Sequence, residues 1–317
     1  MTNLRTFAGR SHPDLAMKIA EYIGFPFGRA ALDNFPDGEI SLKCHEDVRG
    51  RDAFVVQSTC APVNDNLMEL LIFVDCLKRA SAQRITAVMP YFGYARQDRK
   101  DEGRVPITAK LVANMLTAAG IHRLLTIELH AAQIQGFFDI PVDNLSAEPV
   151  FSAYFQSLNL KPLTLVSPDI GNAKIARIYA DFLGGELAII DKKRVSGSES
   201  RSYSIIGDVE GRNVLMIDDM IATGGTVAQA CRLVKAKNAK RVVVAATHAV
   251  LAGGAPQKLM DAGIDELVVT DTIPISEEKR RVLPNLTVLS VSSLLGEAIR
   301  RIHRNESVSS LFVKRAS

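Results

Sequence analysis

Short apolar runs rich in β-branched residues recur along the chain, each followed by a segment whose apolar positions repeat with helical spacing. AFVVQS precedes LMELLIFVDCLKRA, RITAVMPYF precedes ITAKLVANMLTAAG, LTLVSPD precedes NAKIARIYADFL, and NVLMIDD precedes GTVAQACRLVKAKNA; RVVVAATHAV and DELVVTDT follow. Strands that are apolar on both faces and alternate with helices predict parallel sheets covered on each side, an α/β fold. The segment DNLSAEPV places Asn, Ser and Pro between two such arrays and predicts a division near positions 145 to 150. The expected layout is two doubly wound parallel-sheet domains, 1–147 and 148–291, with a closing helix and tail over 292–317. No residue-level repeat relates the halves. SSLLGEAIRRIHR reads as an amphipathic helix with its N-cap at Ser292 or Ser293. KKRVSGSESRSYS (192–204) is polar, Gly/Ser-rich and basic at its start, so a poorly ordered loop is expected there.

The length of 317 residues agrees with two domains of about 150 residues. Apolar residues at 47% and charged ones at 23% are ordinary for a soluble globular chain. Net charge is only +3, and Lys and Arg are scattered, so a nucleic-acid partner is not indicated. Cys44, Cys60, Cys76 and Cys231 are too widely spaced for a CxxC metal or redox pair, which fits a reducing cytoplasm. MTNLRTFAGRSHPD lacks an apolar signal core, and no window approaches the roughly 18 apolar residues of a membrane span. The expectation is a cytoplasmic protein with no membrane partner. A dinucleotide dehydrogenase is excluded because no GxGxxG follows a strand.

In an open α/β sheet, ligands bind outside the carboxyl ends of the strands. TAVMPYF leads towards Arg96-Gln97-Asp98-Arg99-Lys100, LLTIEL ends at His130, and LTLVSP ends at Asp169. LAII runs into Asp191-Lys192-Lys193-Arg194, and VLMI stops at Asp218-Asp219. Carboxylates, cations and an imidazole at five strand ends could together hold a magnesium-bound polyphosphate. Within VLMIDDMIATGGT (214–226), the amides of Thr223, Gly224, Gly225 and Thr226 open a helix, where unpaired N–H groups and the helix dipole favour phosphate. The two carboxylates ahead of them suit a vicinal diol such as that of ribose. An acidic surface turn capped by Thr and Gly is the alternative for that segment.

VLMIDDMIATGGT resembles the phosphoribosyl-pyrophosphate binding motif shared by phosphoribosyltransferases and ribose-phosphate pyrophosphokinases. NFPDGEI (34–40), MPYFGYARQDRK (89–100), LHAAQIQGFFDIPVDNL (129–145), VSPDIGNAKIAR (166–177), IIDKKR (189–194) and the terminal SVSSLF are similar to the ribose-phosphate pyrophosphokinase family, in family order. The similarity covers almost the full length. It implies two phosphoribosyltransferase-like domains and an enzyme that moves the diphosphoryl group of MgATP onto the 1-hydroxyl of ribose 5-phosphate.

By that resemblance, Phe35, Asp37 and Glu39 reach from a neighbouring subunit to hold adenine, while Arg96, Gln97, Asp101 and His130 line the ATP site. His130 and Asp169 match the family's magnesium contacts, and Lys192 and Arg194 its catalytic positions on the loop 192–204. Asp218, Asp219, Thr223, Gly224, Gly225 and Thr226 match the ribose 5-phosphate site. The implied assembly is a homo-oligomer, a hexamer in this family. Arg49, Gln135, Asp143, Asn144, Ser307, Ser309 and Ser310 match effector positions of the phosphate-activated, ADP-inhibited class. Asp47 stands where such enzymes often carry Ser, and a carboxylate beside bound phosphate is unfavourable unless a cation intervenes.

Two departures stand out. By the resemblance, relatives usually read DDxxDT in the ribose site, where this chain has Ala222 in place of the third acid, so weaker sugar-phosphate binding is expected. Asn172 replaces the second glycine of the usual SPDxGG. These changes leave two alternatives. A regulatory homologue would be expected to lose Lys192, Arg194 or His130, and all three are present. A nucleobase phosphoribosyltransferase would have no need for FPDGE or ARQDRK.

Overall fold

The computed structural model describes residues 3–169, 171–194 and 201–311, with the backbone alone for 192–194 and 201–203. The chain divides into two compact units. The first comprises Met1–Ala147, Thr272–Pro274 and Ser290–Ser317, and the second Glu148–Asp271 and Ile275–Leu289.

In the first unit the elements run β1 (Leu4–Ala8), α1 (Pro13–Ile23), β2 (Ala30–Asn34), β3 (Ile40–Cys44), β4 (Asp52–Val56), α2 (Val63–Arg79), β5 (Arg84–Met89), α3 (Thr108–Ala119), β6 (Arg123–Ile127) and β7 (Val142–Leu145). The parallel sheet has the order β1-β4-β5-β6-β7. Every residue of β4 is buried, as a strand covered on both faces requires. One face packs Phe7, Val55, Ile85 and Met89 against Leu70, Phe73, Leu77 and Leu116 of the two following helices. α1 begins where the His12 side chain accepts the Leu15 N–H and Pro13 presets the first turn; it ends at Gly24, left-handed at φ +72°. β2 and β3 form a separate antiparallel hairpin.

The second unit contains α4 (Glu148–Ser157), β8 (Leu163–Ser167), α5 (Ala173–Leu183), β9 (Glu186–Arg194), β10 (Arg201–Ile206), β11 (Asn213–Met220), α6 (Gly225–Ala236), β12 (Arg241–His248), α7 (Ala255–Asp261), β13 (Glu266–Thr270), α8 (Glu277–Val282) and β14 (Leu286–Leu289). Its sheet has the order β10-β9-β8-β11-β12-β13-β14, parallel except for the antiparallel β9–β10 edge. From β1 in the first unit, and from β8 after the leading helix α4 in the second, the elements follow the same succession of strand, helix, hairpin, strand, helix, strand, helix, strand. The architecture therefore repeats where the residues do not.

Two local expectations are corrected. The segment 192–204 is not loop throughout: β9 extends to Arg194 and β10 starts at Arg201, because the two polar flanks pair with each other, and 195–200 lie outside the described residues. The final helix, α9 (Ser292–Arg304), has Val291 as its cap residue, with no side-chain cap; the Ser290 hydroxyl instead accepts the Ser292 N–H at 3.3 Å. This helix packs on α1 within the first unit, where absence of a side chain at Gly296 admits the Tyr22 ring and Tyr22 donates to Glu297 at 3.3 Å.

Candidate functional site

In the second unit β11 does not stop on the acids. It runs through Asp218 and Asp219 to Met220, kept extended by pairing with β12 as far as His248. Backbone bonds then fix the turn: Ile221 N–H donates to His248, Leu251 N–H to Ile221, and Ala252 N–H to Ala222 at 2.8 Å. Gly224 takes φ +71°, a left-handed conformation that a glycine adopts without steric cost, and caps α6 with no side-chain bond to the first-turn amides. Thr223, Gly225 and Thr226 are exposed around that helix start, the arrangement that receives a phosphate.

The acids are closely organised. Asp218 accepts the Asp219 N–H at 2.9 Å, and the buried Asn172 side-chain amide donates to the Ile217 carbonyl at 2.7 Å and lies 3.4 Å from Asp218 Oδ1. Burial, followed by the neighbouring Asp219 and then Asp169, pushes the Asp218 carboxyl up to about 7. Asp169 is exposed just past β8; its carbonyl accepts the Ser167 hydroxyl and its Oδ1 accepts the Asn172 N–H at 2.9 Å. Asp169, Asp218, Asp219 and the α6 start thus gather at the carboxyl ends of adjacent strands. The backbone of β9 sets Lys192 opposite Tyr203 and Arg194 opposite Arg201.

In the first unit Arg96, Gln97 and Asp101 are exposed on the connection after β5. Gln97 is tied down by the Thr108 hydroxyl, and its carbonyl accepts the Ala109 N–H at 3.1 Å. Asp98 accepts from Gln133 at 2.8 Å, which joins this connection to the segment that begins at His130. His130 is exposed beyond β6, after Leu129, whose N–H is held by Asn144 at 3.0 Å. Phe35, Asp37 and Glu39 sit on the exposed β2–β3 tip, where Asp37 accepts the Glu39 N–H at 3.1 Å and Gly38 turns at φ +94°.

Of the effector candidates, Asp143 pairs with Arg123 and is 9% exposed, while Asn144 holds Leu129, so both side chains already have structural partners. Arg49 donates to Ser81 at 3.2 Å; Asp47 takes the Arg49 backbone N–H rather than its guanidinium. Gln135 donates to Ala132 at 3.0 Å. Ser307 donates to Ser309 at 2.9 Å, and Arg301 contacts Ser310.

Sequence reading missed the role of Asn172 and a cavity of about 740 Å³ lined in part by Arg10, Asn34, Glu39 and Glu69. Arg10 bonds both Glu69 and Asn34, and Glu69 also accepts from Gln57 at 2.9 Å. The available signal was Arg10's own place just past a strand.

Among the described residues no three His, Cys, Asp or Glu side chains form a ready metal cage. The exposed Asp169 carboxylate is the kind of oxygen donor that magnesium takes, alongside waters and substrate phosphates.

Two family profiles match: the N-terminal domain of ribose phosphate pyrophosphokinase over residues 4–120, and the phosphoribosyl synthetase-associated domain over 191–313. Ribose-phosphate pyrophosphokinase of Rhodopirellula baltica is 56% identical, over 99% of this chain and 100% of its own. The chain belongs to the ribose-phosphate pyrophosphokinase family. The family enzyme of Wolinella succinogenes is 52% identical over 99% of this chain and all of its own. The crystal structure of phosphoribosylpyrophosphate synthetase from Mycobacterium smegmatis superposes with a TM-score of 0.90 at 46% identity, covering 96% of this chain and 99% of that one.

Proposed function

We propose that this family member transfers the diphosphoryl group of ATP to the 1-hydroxyl of ribose 5-phosphate, giving 5-phosphoribosyl 1-pyrophosphate and AMP. The observation that carries this reading is the match to ribose-phosphate pyrophosphokinases along the whole of both chains, at 56% identity. Lys192, Arg194 and His130, whose loss would mark a regulatory homologue, are retained.

In this reading the exposed amides at the start of α6 seat the 5-phosphate and Asp218 with Asp219 accept the ribose hydroxyls. Arg96, Gln97, Asp101 and His130 bind ATP, with Phe35, Asp37 and Glu39 supplied to a neighbouring copy in a homo-oligomer, a hexamer. The 1-hydroxyl oxygen bonds to the β-phosphorus, the bridge to the α-phosphate breaks, and the hydroxyl proton is released. Such a reaction asks a protein chiefly for positioning and neutralisation of charge, the role of Lys192 and Arg194. Asp169 and His130 would hold magnesium together with ATP, and the ion would supply further charge neutralisation. Phosphate and ADP act at Arg49, Gln135, Asp143, Asn144, Ser307, Ser309 and Ser310. The reducing cytoplasm suits the four free cysteines, and among the described residues no helix is long and apolar enough to cross a membrane.

The test is AMP release by purified protein given ATP, magnesium and ribose 5-phosphate, with Lys192→Ala as control. Product that forms only with both substrates is expected. Absence of AMP release, or activity undiminished in the control, overturns the reaction or the role of the lysine respectively.

A further inference from the structure

The alternation of backbone groups along β11 identifies an unusual donor. Asn213 N–H donates to the Pro162 carbonyl, so residues 213, 215 and 217 turn their peptide groups towards β8. Pairing with β8 covers only Asn213–Leu215; in that register the residue that would donate to the Ile217 carbonyl is Pro168, which has no N–H. The next acceptor on that edge, the Ile217 carbonyl, is taken by the Asn172 side chain at 2.7 Å. A side chain thereby continues the ladder that the neighbouring strand has left.

The same Nδ2 lies 3.4 Å from Asp218 Oδ1, and the Asn172 backbone N–H donates to Asp169 Oδ1 at 2.9 Å. Asn172 is 8% exposed, so this geometry is shielded from competing water. One residue therefore ties together the acid that follows β8, the peptide ahead of Asp218 and the Asp218 carboxylate. A glycine at this position would supply none of the side-chain donors. Two N–H groups, from the Asn172 side chain and the Asp219 backbone, meet Oδ1 and orient the Asp218 carboxylate.

We propose that Asn172 is a positioning residue for ribose 5-phosphate: its amide clamps Ile217 and Asp218 so that the carboxylate meets the vicinal hydroxyls of the phosphorylated sugar. The inference rests on the reaction proposed above and adds a residue that touches no substrate itself. Asn172 itself touches neither the sugar nor ATP. Its effect is selective: loss of the clamp weakens the sugar side and leaves the nucleotide side unchanged.

The experiment compares wild type with Asn172→Ala, Asn172→Asp and Asn172→Ser. KM is measured for each substrate at saturation of the other, alongside calorimetric titration of ribose 5-phosphate without ATP. Loss of one hydrogen bond to a charged acceptor predicts about a tenfold rise in KM and Kd for ribose 5-phosphate in Asn172→Ala. KM for ATP stays within about twofold, as expected when binding energy is lost at one substrate only. Asn172→Asp, with the same shape but an oxygen facing Asp218, is expected to be worse, and Asn172→Ser, which keeps a short donor, to recover part of the loss. Circular dichroism and melting establish that each variant is folded. Unchanged sugar affinity in both Asn172→Ala and Asn172→Asp, or equal rises in both KM values, overturns the proposal. The titration reads the clamp independently of turnover, so a wild type that binds the sugar yet releases no AMP defeats the proposed reaction without deciding this inference against or for it by default: the Kd ratio of wild type to Asn172→Ala still does so.

Discussion

His303, on α9, sets its Nδ1 2.9 Å from Oδ2 of Asp52, the first residue of β4. Arg84, the first residue of β5, donates to both oxygens of the same carboxylate and to the Ile302 carbonyl at 3.0 Å. A single buried acid thus joins the start of one strand, the start of the next and the closing helix. Its bidentate hydrogen bonds also raise the Arg84 guanidinium pKa further, so this half of the network stays charged at any working pH. Removing one partner of such a pair leaves the other uncompensated. Arg84→Ala is expected to destabilise by about 2–4 kcal/mol, and His303→Ala by about 1 kcal/mol, in urea unfolding. A loss for Arg84→Ala no greater than for an exposed pair such as Arg79→Ala would contradict this account.

Asp218 couples stability to pH. Its folded-state carboxyl is pushed up to about 7 from an ordinary 3.8, first by burial and then by Asp219. The folded protein binds this proton more tightly than the unfolded chain does. The resulting stabilisation is complete below the ordinary value and is lost as pH rises through about 7. Asp218→Asn removes that dependence, and with about 1.4 kcal/mol per pKa unit as a ceiling, a gain on the order of 1–3 kcal/mol is expected at pH 8. Melting of metal- and substrate-free protein should therefore rise in the variant at alkaline pH and match wild type, or fall below it, near pH 4. Equal shifts at both pH values would show that the burial of Asp218 is not what the variant relieves.

Much of this organisation was legible in the pattern of the chain, for identifiable reasons. β4, β5, β8, β11, β12 and β13 are buried nearly throughout, so their apolar runs stand out, and α2, α3, α5 and α6 carry clear helical periodicity. The β2–β3 hairpin stayed hidden because its strands are half exposed and carry no continuous apolar run. At the site, the left-handed glycine turn of Thr223–Thr226 at the start of α6 was readable because glycine and helix-start chemistry are local. The clamp from Asn172 to Asp218 was not, since it joins residues far apart in sequence through a register that only the sheet defines. A glycine-to-asparagine departure announced a change at that position without indicating what the new amide would hold.

Gly93 offers a test of the connection that presents Arg96 and Gln97. Its N–H donates to the Thr59 hydroxyl at 2.7 Å, and a Cβ there would lie 2.5 Å from the Thr59 carbonyl oxygen and 3.0 Å from Val63. The nearest obstacle is backbone, which cannot rotate aside. Gly93→Ala is expected to cost about 1–3 kcal/mol of stability as the connection is forced outward. Under the proposed reaction, KM for ATP should rise while KM for ribose 5-phosphate, assigned there to the second unit, is unaffected. Steady-state kinetics on the folded variant separate the two, and an equal rise in both would point to general disruption instead.

Ala222→Asp introduces the third acid that the family resemblance leads one to expect at this position. The backbone at this position is already fixed by the Ala252 N–H on the Ala222 carbonyl at 2.8 Å, and the residue is only half buried, so the turn should accept a carboxylate without rearrangement. One added acceptor near the sugar is expected to lower KM for ribose 5-phosphate by about three- to tenfold. The same substitution places a further negative charge beside Asp218 and Asp219, so stability of the substrate-free protein at pH 8 should fall. Ala222→Asn separates the two effects, because it adds hydrogen-bonding capacity without charge: it should keep part of the gain in affinity and lose none of the stability. Kinetics and melting on the three proteins decide between them, and an Ala222→Asp enzyme with unaltered sugar KM would show that the missing acid is not what sets sugar affinity here.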